Sequence, residues 1–239
     1  MPRRAGKRRR GALRGPVIVL LRCEFQEAPY VHTEPGTRRF HLLYRAVGDY
    51  ESYVGRLGHA IAEYDPASAS VRLVLREPEP VFSPEHLQEW GVLARLGLQD
   101  TPISTEDARV TPVTVDGETR LWMTAVIIID PCAPEVIRLR EGSGLETLES
   151  DWRACTMLTE ISLDGDRIVF SEDPEDYSII TPPELSDKDV VPFPRPIGGE
   201  FMFLDRRVPV GREESHGDEN RPCTKIARLD PEAMELEAP

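Results

Sequence analysis

Two β-rich runs meet at Asp116-Gly117, and no other feature of the chain restricts its fold as much. One run is residues 110–115, the other residues 119–129. Asp and Gly tolerate the left-handed backbone that the tightest hairpin turns require, so the pattern predicts a β-hairpin. The second run is apolar on both faces. Leu121, Met123, Ala125, Ile127 and Ile129 alternate with Trp122, Val126 and Ile128. Such a strand is covered from both sides and belongs in the middle of a sheet. Asp164-Gly165, between residues 155–163 and 167–170, repeats the hairpin signal.

Further strands are expected at residues 17–25, 39–47, 71–75 and 135–140, each a short β-branched or leucine-rich run. The alternation in 39–47 is imperfect, whereas Val71, Leu73 and Leu75 share one face. Two segments read as helices. In residues 49–64, Tyr50, Tyr53, Val54, Leu57, Ile61 and Tyr64 recur at spacings of three and four, and Asp49 can cap the start. Gly55 and Gly58 each cost up to about 1 kcal/mol there and suggest close packing against a sheet. Residues 83–96 open on Ser83-Pro84-Glu85, a capping serine followed by proline at the first helical position. A shorter helix is expected at residues 145–152.

The fold class these elements predict is α+β: a largely antiparallel sheet of about six to eight strands with two main helices. Residues 1–15 form a basic arm expected to be disordered, and residues 16–170 the globular domain. Residues 171–210, rich in proline and acids, are expected to drape over the domain, with 201–210 as an edge strand. Residues 211–239, polar and acidic, are expected to be loose.

The charge is unevenly spread. The 239 residues carry a net charge of −13, yet Arg3, Arg4, Lys7, Arg8, Arg9, Arg10 and Arg14 place seven cations, and no acid, in the first fourteen positions. Of 29 basic residues, 22 then remain against 42 acids, a charge of −20 for the rest. An acidic body repels phosphate backbones, so contact with nucleic acid or another polyanion is expected through those seven residues only. An apolar content of 40% fits a folded chain rather than wholesale disorder.

No apolar run approaches the ~20 residues of a membrane helix. The basic start and residues 16–21 imitate a signal peptide, but the apolar part is too short and Arg22 ends it. A soluble, cytoplasmic protein without membrane contact is expected, or a nuclear one if the host is eukaryotic or the protein viral. Cys23, Cys132, Cys155 and Cys223 are dispersed and read as reduced thiols, mostly buried.

Signatures of chemistry are weak. The five histidines, His32, His41, His59, His86 and His216, show no metal-ligand spacing, and no metal or cofactor is expected. His59 and His86 read as helix residues. Gly142-Ser143-Gly144 lacks the glycine spacing of a phosphate turn, and the acids of 172–176 lack that of a calcium loop. Asp130 ends an apolar strand, where sheets often hold functional groups. The favoured expectation is a non-enzymatic interaction or regulatory protein with a protein partner. The rival is an enzyme whose site is assembled from scattered residues, with Cys23, His41, His59 and Asp130 as its members.

Overall fold

A computed structural model describes residues 38–47, 54–65, 67–129, 153–181, 187–207, 223–231 and 233–237. Among these, twelve strands form three sheets and every pairing is antiparallel. The α+β expectation is therefore corrected to a mostly β architecture with two short helices.

The central sheet grows from the hairpin at Asp116-Gly117. β4 (Ile103–Val115) and β5 (Glu118–Ile129) pair along their length, and both turn residues have positive φ, 51° and 84°. β6 (Arg153–Asp164) lies on the other side of β5, so β5 is interior as its two apolar faces require. β7 (Arg167–Phe170) folds back on the end of β6, and β8 (Tyr177–Ile179) pairs with the middle of β6. One face of β5 puts Met123, Ala125, Ile127 and Ile129 into the largest core, with Phe82, Leu87 and Tyr177. The other face carries Trp122 toward a second cluster and Val126 and Ile128 toward Ala154.

The helix expected at residues 49–64 does not form over its described part. Gly55–Asp65 is β2, antiparallel to β1 (Arg38–Val47), with β3 (Ser70–Arg76) on its far side. The misleading three-four spacing has a physical origin. Gly55 and Leu57–Ala62 are buried on both faces, and a strand covered from two sides imposes no period on its side chains. The glycines do mark close packing. A Cβ on Gly55 would lie 2.8 Å from the Thr105 carbonyl oxygen, and one on Gly58 would run into the Tyr44 ring.

Residues 83–96 begin as expected. Ser83 Oγ accepts from His86 N, and Pro84 opens α1 (Pro84–Glu89). Gly91, with φ 77°, then breaks the helix, and α2 (Val92–Arg95) is a separate turn.

The third sheet has the order β12-β11-β10-β9: β9 (Asp187–Pro192), β10 (Met202–Arg207), β11 (Cys223–Asp230) and β12 (Glu235–Glu237). It covers the outer face of the central sheet, where Ile180, Val190, Phe203 and Leu229 pack with Leu158 and Trp122. Two expectations change here. β10 is an interior strand rather than an edge, and the polar end of the chain supplies β11 and β12. Within β11 only Ala227 and Leu229 are buried among the described side chains, so its β pattern is nearly silent in the sequence. The strands expected at 17–25 and 135–140 and the helix at 145–152 lie outside the described residues.

Candidate functional site: a polar seam beneath the first strand

Alternate residues of a strand point to the same face. In β1 that face holds Arg39, His41, Leu43 and Arg45. Leu43, and Leu57 on β2, pack into the central core, so the face looks toward the central sheet. Three of its four side chains are polar, and each finds a partner in the space between the sheets.

Arg39 donates to Asp166, in the β6–β7 turn, at 2.5 Å. His41 Nδ1 lies 3.0 Å from His59 Nε2. The ring planes differ by 16° and the centroids are 5.1 Å apart. The nitrogens are much closer than the centroids, which fits an N–H···N bond across ring edges rather than face-to-face stacking. One ring donates and the other accepts. His59 is fully buried, and its Nδ1 has no hydrogen-bond partner among the described residues. Burial, and then the neighbouring His41, hold His59 down at about 4, against an opposing pull from Asp166. His41 is lowered in the same way, chiefly by burial.

At the other end, Arg45 donates to Glu106 Oε1 at 2.6 Å. Ser104 Oγ donates to the same oxygen at 3.1 Å, and Lys188 Nζ stands 3.7 Å from Oε2. Burial pushes the Glu106 carboxyl above its usual range although Arg45 and Lys188 pull it down. Ser104 also accepts from the Gly55 amide at 2.7 Å, and Thr105 Oγ1 donates to the Gly55 carbonyl at 3.1 Å. The close approach at Gly55 thus ties β2 to β4.

The register of β4 against β5 shifts between Glu106 and Arg109, and Asp107 there has φ 46°. Bulges re-aim side chains in this way. Arg109 donates to Asp189 at 2.5 Å, and Asp189, with φ 55°, also pairs with Arg206. All three sheets therefore meet at two adjacent charge clusters, Arg45–Glu106–Lys188 and Arg109–Asp189–Arg206.

Of the residues proposed for an enzyme site, the fold brings His41 and His59 together, while Cys23 and Asp130 lie outside the described residues. So do the arm residues Arg3, Arg4, Lys7, Arg8, Arg9, Arg10 and Arg14. His59 is a buried strand residue and not a helix residue. His86 does sit in the first turn of α1, beside Ser83 Oγ and stacked on Trp90. Cys155 is buried and its thiol donates to the Ile127 carbonyl at 3.8 Å. Sequence reasoning misses Arg45 and Glu106, and reads Asp166 only as part of the turn at Gly165. The one available signal was the polar residue at every second position but one of residues 39–45.

The seam can hold a proton between two rings and pin three sheets by charge. Its fully buried His59 offers no surface to a substrate as it stands. Among the described residues no group of three or more His, Cys, Asp or Glu is placed to hold a metal ion, and no helix is long and apolar enough to cross a membrane. No protein-family model matches the chain, and no curated protein matches it in sequence.

Proposed function

We propose that this protein is a non-enzymatic interaction protein that takes up an extended, acidic strand of a partner along the free edge of β3. The observation that carries this reading is the exposure of β3. Every residue from Ser70 to Arg76 is exposed, including Val71 at 60% and Leu73 at 56%. Among the described residues β3 pairs with β2 alone, so its other edge presents unpaired N–H and C=O groups. Edge pairing is a common route to peptide recognition, with the backbone giving affinity and alternate side chains giving selectivity.

Charge selects the occupant. β3 carries Arg72 and Arg76 and no acid, and the Arg72 side chain is 75% exposed even while it pairs with Glu63. Carboxylates on the incoming strand complement Arg72, which lies within the regular stretch of the edge. A second copy of β3 is the poorer occupant, since it sets arginine near arginine. The register shift opposite Ile61 and Ala62 makes Val74 the extra residue, so the regular stretch offered is Ser70–Leu73.

The test is selection from a displayed library of random twelve-residue peptides on the full chain. Enriched peptides are expected to alternate apolar and acidic residues and to lose binding to Arg72→Glu and Leu73→Asp variants. No enrichment, or peptides indifferent to both substitutions, overturns the reading.

A further inference from the structure

His41 and His59 hold a single proton between their rings, across 3.0 Å. Two protons in that gap set N–H against N–H, and His59 is too deeply buried for water to hydrate the second charge. The charged groups around the pair give little relief. Arg39, on β1, opposes protonation. Asp166, in the β6–β7 turn, favours it but is already taken by Arg39. Glu63, two strand rows along β2, is held by Arg72 of β3. The opposite end of β2 is fastened differently. Leu57 exchanges backbone bonds with Val81 and Phe82 and is 1% exposed in the central core.

We propose that mild acid opens the seam at its Arg39–His59 end, parting β1 from the adjoining part of β2 and from Asp166 of the β6–β7 turn while the Leu57 end stays seated.

The direction follows from linkage. In the closed seam both histidines sit below their ordinary 6.5, His59 at about 4. Opening returns them toward 6.5. As pH falls from 6.5 toward 4 the open form takes up protons that the closed form refuses. Each histidine then shifts the balance toward opening by up to about tenfold per pH unit. Above 6.5 the closed form keeps its full advantage.

Hydrogen exchange of the full chain, corrected for intrinsic rates, tests this at about pH 7.5 and about pH 5. The expected result is about tenfold or greater loss of protection at residues 39–43 and 59–63 in acid, with the β4–β5 hairpin unchanged. A His41→Leu, His59→Leu double variant removes both titrating groups and is expected to abolish the acid response. Asp166→Asn is expected to move the opening to higher pH, because it removes both the Arg39 partner and the charge that favours an imidazolium. Equal loss of protection in all three sheets, no dependence on pH, or an undiminished response in the double variant overturns the proposal. Should the double variant fail to fold, an unmoved opening in Asp166→Asn overturns it as well.

Discussion

Arg45 and Glu106 join two sheets through one hydrogen bond of 2.6 Å, from the inward face of β1 to the bulge of β4. Both side chains are nearly buried, 13% and 3% exposed. Water cannot replace either partner, so the bond matters less for the energy it adds than for the charge it keeps from being stranded.

Removing one partner is therefore the costly change. Glu106→Leu removes the carboxylate that faces both Arg45 and Lys188 and is expected to lower stability by about 3–5 kcal/mol. Adding Arg45→Met is expected to recover part of that loss, since the apolar pair needs no compensation while Lys188 still lacks the Glu106 carboxylate. Urea unfolding of both variants checks the contrast. A single variant within about 1 kcal/mol of the parent shows that Arg45 reaches solvent instead.

Gly55→Ala gives a test of sign. At an open strand position the substitution stabilises by about 0.5–1 kcal/mol. Here the new Cβ falls 2.8 Å from the Thr105 carbonyl and 2.9 Å from Ser104 Oγ, and the first of these is backbone. A loss of about 1–3 kcal/mol is expected, together with faster hydrogen exchange at the Gly55 amide that donates to Ser104. A more stable variant shows that β2 and β4 lie farther apart.

The central strand allows a blunter test. Ile127 is 1% exposed, on β5 between β4 and β6. A carboxylate there has no partner, and its burial costs several kcal/mol, so Ile127→Asp is expected to unfold the protein. Ile127→Val is expected to cost about 0.5–1.5 kcal/mol. A soluble, cooperatively melting Ile127→Asp variant removes β5 from the centre of the fold.

Legibility followed how local each signal is. Both Asp-Gly hairpins could be read, because turn chemistry is written in adjacent residues, although the second loop is Gly165-Asp166, with Asp164 already paired to Arg167. Ser83 and Pro84 could be read as a helix start for the same reason. β2 could not, because burial on both faces erased its period and left accidental helical spacing. Gly91 inside residues 83–96 does not disturb the apolar spacing, yet a left-handed residue there halves the helix. The seam was half legible. His41 and His59 stood out as chemical types, but their pairing depends on the β1–β2 register, which no local pattern declares. Arg45 and Glu106 carry no such mark, because burial is a property of the assembled sheets.

A second contact is expected at the basic arm, and its test rests on charge alone. Seven cations in fourteen residues, beside a remainder of −20, make residues 1–14 the place where a polyanion meets least repulsion. Binding that depends on phosphates falls steeply with salt and is nearly blind to sequence. Mobility shift of the full chain and of a chain lacking residues 1–14, on RNA and on DNA at two salt concentrations, is expected to show binding by the full chain only, lost at the higher salt. Equal shifts for both proteins place the contact on the acidic remainder and contradict the charge argument. No shift for either rules out nucleic acid as the ligand of the arm, and leaves the β3 edge as the proposed contact.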